Sequence, residues 1–403
     1  MKKLLSEVCT IQYGFPFDSA KFSDSNGMPL IRIRDVVRGY SETYTTEEYK
    51  SEYIVHENDL LIGMDGEFNI AKWGKTPALL NQRVCRLAPK DSIDKDYLFY
   101  FMPIALKRIE EKTPFVTVKH LSAKELNKIE IPVLSLEEQR KIAETLSKVD
   151  KLIAFRDRQL AKLDELVKAR FVGMFGDCKT NPKNWKTKAL EKIANVGSSK
   201  RVFVEELQDS GIPFYRGTEI GALAEKKAVI PALFITEEHY KQLCETTGKP
   251  QKGDLLMPSI CPDGRIWIVD TDEPFYFKDG RVLWVHLTSA NYNSVFLLYT
   301  LKDRIMTDYA SIASGTTFAE LKIFALKKCK IFDVPLELQN QFANFVERVD
   351  QQKQTVQQSL EKLELMKKAL MQEYFGYLPQ SPDGDSPLRE GAFDVAVPKS
   401  LPP

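Results

Sequence analysis

The chain has 403 residues, of which 43% are hydrophobic and 28% are charged, and its formal net charge is +1. This composition is ordinary for a folded protein with more than one domain and excludes a highly charged disordered chain. No apolar run approaches the ~20 residues that a membrane-spanning helix needs. The six cysteines are scattered without a C-x-x-C pair, which favours free thiols in a reducing compartment. We therefore expect a cytoplasmic protein that makes no membrane contact.

The first 134 residues alternate short β-like runs with breaks at Gly, Pro and Asn. Clear examples of such runs are Leu30–Ile33, Asp59–Ile62 and Arg83–Leu87. The pattern becomes helical near Asp96–Met102. It predicts a mixed α/β domain with a curved, mostly antiparallel sheet over residues 1–134.

A long helix is predicted over residues 135–176. Ser135-Leu-Glu-Glu138 forms a capping box at its start. Apolar positions then recur with alternating spacings of four and three from Ile142 to Met174, which is the heptad pattern of a coiled coil. Arg156 and Arg170 interrupt this seam. Either their long stems extend past a frayed edge, or they fix the register of the helices.

The second half of the chain repeats the first. Val149-Asp150 and Phe175-Gly176 recur as Val349-Asp350 and Phe375-Gly376, a constant offset of 350 − 150 = 376 − 176 = 200 residues. Weaker matches link the preceding domains: Met28-Pro-Leu-Ile-Arg32 with Ile212-Pro-Phe-Tyr-Arg216, Asp59-Leu60-Leu61 with Asp254-Leu255-Leu256, and Arg83-Val84 with Arg281-Val282. Repeats set the architecture, so residues 187–334 are predicted as a second domain and residues 335–376 as a second long helix. Its seam is interrupted by Lys353 and Lys367.

Connectivity predicts how these parts are arranged. The second helix must bury its seam, and the first helix, packed antiparallel to it, is the best partner. The expected fold class is α+β, with two pseudo-symmetric α/β domains separated by an antiparallel two-helix coiled coil. About 35 residues at ~1.5 Å each would make this dumbbell handle roughly 50 Å long. Residue 376 should return to the first domain, and the Pro- and Ser-containing segment 377–403 is predicted to be a disordered or loosely draped tail.

Sequence signals for catalysis are missing. Asn69 replaces the first glycine that a phosphate loop ending at Gly74-Lys75-Thr76 would need. Asp272-Glu-Pro-Phe-Tyr276 lacks the tetrad of an adenine methyltransferase. The four histidines have no metal-ligand spacing. We therefore predict no catalytic residue and no metal site.

Basic side chains in loops and at strand ends are the remaining candidates for function. Such side chains suit phosphate contacts, and arginines suit guanine edges. Although a near-zero net charge is unusual for nucleic-acid binding, the position of the charges matters more than their sum. The candidate DNA-binding residues are Arg32, Arg34, Lys72, Lys119, His120, Lys200, Arg201, Arg216, Arg265 and Lys278. Phe155, Phe171 and Phe345 are candidate partner-docking anchors, unless they pack within the junctions of domain and helix.

The chain resembles the specificity subunit of type I restriction–modification enzymes over residues 1 to about 376. The twofold repeat and the helix entry Ile131-Pro-Val-Leu-Ser-Leu-Glu-Glu-Gln139 carry the resemblance, together with Leu5–Gly14, Asp59–Gly66 and Asn81–Val84. Departures from the pattern are Leu338 in the second helix entry and Gly315-Thr316-Thr317, which has no glycine counterpart near Thr117.

The resemblance implies two target recognition domains, which each read one half of a split double-stranded DNA sequence. It also implies a helical spacer that docks two adenine-N6 methyltransferase subunits, and restriction subunits that complete the enzyme. S-adenosylmethionine, ATP and magnesium would then belong to those partners, and this chain would hold no cofactor. Two alternatives stay open: the recognition subunit of a system with a fused nuclease and methyltransferase, and a coiled-coil scaffold with two protein-binding domains.

Overall fold

The structure is a computed structural model that describes residues 1–112, 119–315 and 319–376. The predicted tail 377–403 and the predicted difference between Thr117 and Thr316-Thr317 lie outside the described residues. The chain divides into two compact units. The first contains Met1–Asp157 and the residues from Gln358 onward, and the second contains Arg158–Gln357. Each unit therefore combines one domain with one part of each long helix.

The first domain is built from short strands, with one longer helix near its end. In chain order its elements are β1 (Lys2–Leu4), α1 (Leu5–Val8), β2 (Cys9–Tyr13), β3 (Phe22–Ser23), β4 (Met28–Ile31), α2 (Ile33–Arg38), β5 (Tyr44–Thr45), β6 (Ile54–Val55), β7 (Leu60–Gly63), β8 (Asn69–Lys72), β9 (Ala78–Leu80), β10 (Val84–Pro89), α3 (Lys95–Lys112), α4 (Ala123–Asn127) and β11 (Glu130–Pro132).

An antiparallel four-stranded sheet with the order β2-β10-β7-β8 is the centre of this domain. Its alternating residues face two different cores, as the two-residue period of a strand requires. Leu60 and Ile62 pack in the cluster that contains α3, whereas Leu61 packs in a second cluster with Ile31 and Trp73. A second sheet, ordered β3-β5-β4-β9-β6, contains one parallel pair, β4–β9. Strands β1 and β11 form a separate antiparallel pair.

The second domain repeats this order in its main elements. Among the described residues it has a 3-10 turn in place of α1, lacks two of the two-residue strands, and adds one helix and one pair of short strands. Its elements are β12 (Thr187–Ala189), β13 (Ala194–Gly197), β14 (Ile212–Tyr215), α6 (Gly217–Ala224), β15 (Phe234–Ile235), α7 (Glu237–Thr247), β16 (Leu255–Pro258), β17 (Trp267–Ile268), β18 (Tyr276–Phe277), β19 (Val282–Leu287), α8 (Ser294–Ile312), β20 (Ala313–Ser314), β21 (Glu320–Leu321), α9 (Ile323–Lys327) and β22 (Lys330–Phe332).

Sheet topology confirms the predicted internal repeat. The four-stranded sheet of the second domain has the order β13-β19-β16-β17, which matches β2-β10-β7-β8 strand for strand. Strands β14 and β18 are parallel, as β4 and β9 are. The pair β12–β22 corresponds to β1–β11. The expected mixed α/β domains with mostly antiparallel sheets are therefore present in both halves of the chain.

Each domain leads into a helix of 40 residues, α5 (Leu136–Phe175) and α10 (Leu336–Phe375). The predicted capping box is present at the first, where the Ser135 amide donates to Glu138 Oε2 (3.0 Å) and the Glu138 amide donates to Ser135 Oγ (3.3 Å). At the second helix, Pro335 and Leu338 cannot form this box. There, the amides of Leu338 and Gln339 donate to the Pro335 carbonyl instead.

A buried glutamine ties each long helix to its domain. Gln139 and Gln339 are both fully buried. Gln139 Oε1 accepts from the Asp94 amide (2.8 Å), and its Nε2 donates to the carbonyls of Ser92 (3.2 Å) and Leu134 (2.9 Å). These bonds lock the first turn of α5 to the start of α3. The repeated glutamine of the helix entry therefore positions the helix.

Gln339 makes the same three bonds in the second unit. Its Oε1 accepts from the Asn293 amide (2.9 Å), and its Nε2 donates to the carbonyls of Asn291 (3.1 Å) and Val334 (2.8 Å). The first turn of α10 is thereby fixed to the start of α8.

Within each unit the two long helices pack antiparallel, as predicted. In the second unit, Phe171 and Phe175 near the end of α5 pack against Phe342 near the start of α10, with ring centroids 5.4 and 5.6 Å apart. In the first unit, Phe375 at the end of α10 packs on Tyr97 and Phe101 of α3. The Gly376 carbonyl also accepts a bond from Arg108 Nη2 (3.4 Å). Residue 376 thus returns to the first domain.

The four cations of the predicted seam contact the facing helix. Arg156 Nε donates to Ser359 Oγ (3.1 Å). Lys353 and Lys367 form ion pairs of 2.6 Å with Asp164 and Asp150, and Arg170 lies over the Phe345 ring at 5.6 Å. Such one-to-one contacts favour the interpretation in which the cations fix the register over the one in which their stems extend past a frayed edge.

Candidate nucleic-acid interface

In the first domain, four loops and turns meet at one end of the four-stranded sheet. The Gly14 amide donates to the Val84 carbonyl (3.0 Å), the Met64 amide to Arg83 (2.9 Å), and the Leu121 amide to Met64 (2.7 Å). Gly14 is required here, because a Cβ at this position would lie 1.9 Å from the Asn81 carbonyl oxygen. The segments that begin at Gly14, Met64, Asn81 and Lys119 are called the sheet-end loops of the first domain.

The second domain has the same arrangement. Ser198 Oγ donates to the Val282 carbonyl (2.6 Å), the Ser259 amide to Arg281 (2.8 Å), and the Leu321 amide to Ser259 (2.7 Å). The segments at Ser198, Ser259, Lys278 and Ala319 are the sheet-end loops of the second domain. The repeat therefore places equivalent loops at equivalent sheet ends in both domains.

Two of the predicted arginines occupy equivalent positions beside these loops. Arg32 and Arg216 are exposed N-cap residues of α2 and α6, directly after the parallel strands β4 and β14. An acidic residue three positions later accepts each N-cap amide: Asp35 Oδ2 at 2.9 Å and Glu219 Oε2 at 2.8 Å. The carboxylates also attract the basic side chains near the cap, since Arg34 Nε lies 3.7 Å from Asp35 Oδ1.

The guanidinium of Arg216 is held firmly. Its Nη2 donates to Glu219 Oε1 at 2.7 Å, and the Glu219 side chain is only 12% exposed. Burial by itself would raise the pKa of Glu219, but hydrogen bonds from Arg216 and Thr218 outweigh it and lower this pKa to about 2. The same contact raises the pKa of Arg216. Its cationic head therefore stays charged and oriented at the start of α6.

His120 and Lys119 belong to the sheet-end loops of the first domain. His120 Nδ1 lies 2.5 Å from Asp65 Oδ1 and 3.2 Å from Arg83 Nη1. Arg83 Nε lies 3.6 Å from Asp65 Oδ2, so Asp65 holds both basic groups. The Lys119 ammonium donates to the Glu110 carbonyl (2.9 Å) and is only 22% exposed.

In the second domain, the predicted residues lie around the corresponding loops. Lys200 and Lys278 are exposed, and their amides donate to Tyr276 Oη (3.0 Å) and to the Tyr215 carbonyl (2.9 Å). Arg201 lies over the Phe203 ring at 5.2 Å. Arg265 is placed beside α6, with Nε 2.8 Å from Asp263 and Nη1 3.8 Å from Glu225.

Lys72 is the predicted DNA-binding residue that the structure separates from the others. Its partner in the β7–β8 register is Leu60, whereas the sheet-end loops follow Gly63 at the other end of β7. The Lys72 ammonium forms a 2.8 Å ion pair with Asp96 and lies 5.0 Å from the centre of the Phe99 ring. Lys72 therefore stabilises the packing of α3 on the sheet.

Sequence reasoning missed Arg83, Arg281 and their acidic partners. Arg281 Nη1 pairs with Glu320 Oε1, just as Arg83 pairs with Asp65. The repeated Arg-Val pair was visible in the sequence and could have identified both arginines. The carboxylate partners could not be identified, because they depend on contacts between distant segments.

The three predicted docking aromatics differ in accessibility. Phe155 is 52% exposed on α5. Phe171 is 3% exposed and packs among Phe175, Phe296 and Phe342, so its side chain is not available to a partner in this conformation. Phe345 is half-buried beneath Arg170. Docking by any of the three stays a prediction.

Catalysis would require a metal site or an activated nucleophile. Within residues 1–112, 119–315 and 319–376, no set of three or more His, Cys, Asp and Glu side chains is arranged to hold a metal ion. Burial raises the pKa of all six thiols, that of Cys85 to about 12. A thiolate nucleophile is therefore not favoured at any cysteine. In the described part of the chain, no helix is both long enough and apolar enough to cross a membrane.

Fold and interface together define a class of internally repeated proteins, in which two α/β domains alternate with two long helices and present basic loops at equivalent sheet ends. Solved structures share this fold. The S subunit of a type I restriction–modification system from M. genitalium aligns over 94% of this chain and 96% of its own, with 16% identity and a TM-score of 0.55. A second structure, described as the basis of assembly and conformational transition of the type I system, aligns over 93% and 97% with a TM-score of 0.56.

Sequence comparison identifies the family. The model of the type I restriction modification DNA specificity domain matches residues 1–165 and 182–365. The EcoBI specificity subunit of Escherichia coli is 41% identical over 164 residues, 40% of this chain but only 34% of that protein. The MjaVIII specificity subunit of Methanocaldococcus jannaschii is 24% identical over 85% of this chain and 87% of its own. The chain belongs to the type I restriction–modification DNA specificity family.

Proposed function

We propose that this chain is the non-catalytic subunit that recognises a bipartite DNA sequence for a type I restriction–modification complex. Each domain would read one half of the target through its sheet-end loops, and the long helices would set the spacing between the halves. The observation that carries the proposal is the repeat of equivalent basic loops, one set per domain. Two modules on one spacer add their discrimination, at roughly 1–3 kcal/mol per base pair, and fix their phase along the DNA.

Partner subunits would supply the chemistry. We propose that two adenine-N6 methyltransferase subunits dock on the long helices, that restriction subunits join them, and that S-adenosylmethionine, ATP and magnesium bind to those partners. The lack of a methyltransferase tetrad and of a phosphate loop in the sequence supports this assignment. The family membership favours it over a coiled-coil scaffold that binds only proteins.

The test is to express the chain with its methyltransferase subunit and to map N6-methyladenine across the host genome. We expect one motif with two fixed halves and a gap of unspecified bases. If the methyltransferase complex neither bound nor methylated a specific DNA sequence, that result would contradict the recognition role.

A second measurement tests the non-catalytic assignment. The purified chain with added S-adenosylmethionine should transfer no methyl group to DNA, and addition of the methyltransferase subunit should restore binding and methylation together. Methyl transfer by the chain alone, abolished by a substitution within it, would overturn this assignment.

A further inference from the structure

We propose that Arg83 and Arg281 are the equivalent base-reading arginines of the two domains, each directed at a guanine by a carboxylate from a neighbouring segment. This inference rests on the proposed function and names residues that carry its specificity. Both arginines directly precede the central strands β10 and β19 of the four-stranded sheets. The repeat gives their backbones one shared contact, since the Arg83 and Arg281 carbonyls accept from the Met64 and Ser259 amides.

Exposure supports a role in binding. The side chains of Arg83 and Arg281 are 52% and 56% exposed. Each side chain extends from a short turn that is anchored to the sheet on both sides. An arginine on an exposed helix has no such anchored base. A guanidinium on such a rigid base loses less conformational freedom on binding.

The acidic partners favour base contacts over phosphate contacts. Asp65 lies beside Arg83, and Glu320 lies beside Arg281. An arginine that is neutralised by a fixed carboxylate adds little to the long-range attraction for phosphates. Its remaining N–H donors are oriented, however, and a fixed planar fork suits the O6 and N7 acceptors of guanine.

Backbone conformation gives a second, independent argument for Arg83. Its φ of +71° lies in the left-handed region, which glycine adopts freely and a residue with a Cβ adopts at a cost. In the second domain the left-handed residue of the turn is a glycine, Gly280, which stands one position before Arg281 and has a φ of +63°. An arginine at a position that suits glycine indicates that the side chain itself has a function there.

The substitution Arg83→Gly therefore separates the effect of the side chain from any disturbance of the backbone. It removes the guanidinium, and glycine adopts the left-handed conformation of the turn without strain. The complex of each variant with the methyltransferase would be assayed on DNA with every single base change in the motif. We expect Arg83→Gly to lower discrimination about 10- to 100-fold at one G·C pair, in the half-site read by the first domain only. Arg281→Ala should lower discrimination in the same way in the other half-site. In each variant, unchanged discrimination in the half-site of the unsubstituted domain shows that the complex has assembled.

Lysine variants and salt dependence provide the decisive contrast. Arg83→Lys and Arg281→Lys keep the charge but lose the bidentate fork, so they should lose the same discrimination while the salt dependence of binding stays unchanged. In Arg83→Gly the motif could stay unchanged while the slope of log K against log salt falls in magnitude by about 0.9. That result would show that Arg83 contacts a phosphate, and it would overturn the proposal. Unchanged discrimination with unchanged salt dependence would overturn it as well.

Matched controls are available in the small two-stranded sheets. Lys2 and Lys188 are exposed cations that are also paired with carboxylates, Glu130 and Asp333, each at 3.0 Å. Lys2→Ala and Lys188→Ala should leave discrimination unchanged. If the unsubstituted complex itself yields no bipartite motif, the proposed function fails before any variant is compared, so the two failures are distinguishable.

Discussion

A buried glutamine side chain at the start of each long helix is preserved in both halves of the repeat. Gln339 binds the Asn293 amide and the backbone carbonyls of Asn291 and Val334. Substitution Gln339→Leu keeps the volume but leaves these groups without partners, so we expect a loss of about 2–4 kcal/mol in the free energy of unfolding of the second domain. Urea unfolding followed by tryptophan fluorescence would measure it. The exposed Gln341→Leu is the matched control, and equal midpoints for both variants would contradict the argument.

The Arg216–Glu219 pair predicts how stability depends on pH. The pKa of Glu219 is lowered to about 2 from an ordinary value of 4.5, so the folded state binds its proton less tightly than the unfolded chain does. The contribution is complete above pH ~4.5 and disappears as the pH falls towards 2. We expect Glu219→Gln to cost about 1–2 kcal/mol at pH 7, and we expect the difference from the parent chain to shrink as the pH falls from about 4.5 towards 2. Urea titrations at several pH values would measure this difference in the free energy of unfolding, with the exposed Glu237→Gln as control. If the pair were unimportant, the difference between Glu219→Gln and the parent chain would not change with pH.

Residue-scale contacts also mark the limit of what the sequence could predict. Lys72 stays a predicted DNA-binding residue because it is basic and lies near a strand end, but the contacts that it makes depend on the β7–β8 register and on Asp96, which lies 24 positions later. Asp65 meets Arg83 and His120 only because two turns and the segment after α3 converge at one sheet end. By contrast, the capping box at Ser135 and the offset of 200 residues are local or periodic signals, and both were predicted.

At the scale of elements, the paired seams lead to a prediction about spacing. Insertion of one heptad after Asp157 and another after Gln357 would keep both seams in phase and lengthen each helix by ~10 Å, about three base-pair rises. We expect the methylated motif to keep both halves and to gain about three bases in its gap. Insertion in one helix only is the control, because it breaks the pairing and should abolish activity. An active double insertion with an unchanged gap would refute the spacer role.

The exposed side of α5 is the element-scale candidate for docking. Phe155 is half exposed, and Leu152, 46% exposed, lies one turn before it. Substitution Phe155→Asp should weaken binding of the methyltransferase by roughly tenfold or more, since buried aromatic anchors dominate protein interfaces. The ratio of subunits in the purified complex would measure this effect. Phe324→Asp, at a residue that is 66% exposed on α9, is the matched control, and equal ratios for the two variants would exclude Phe155 as an anchor.

At the scale of the whole molecule, the two domains should be exchangeable parts. The second domain begins at β12 with Thr187 and ends before α10 begins at Leu336, so residues 187–335 can be replaced with the matching region of another specificity subunit. The incoming segment must keep the glutamine contact to the helix, because Asn291 and Asn293 of the exchanged region bind Gln339 of the retained helix. We expect the methylated motif to change in one half-site only, with the gap unchanged. Replacement of residues 1–134 is the reciprocal control and should change the other half. A change in both halves after either exchange would mean that the domains read DNA jointly, and the repeat would then reflect packing and not separate recognition.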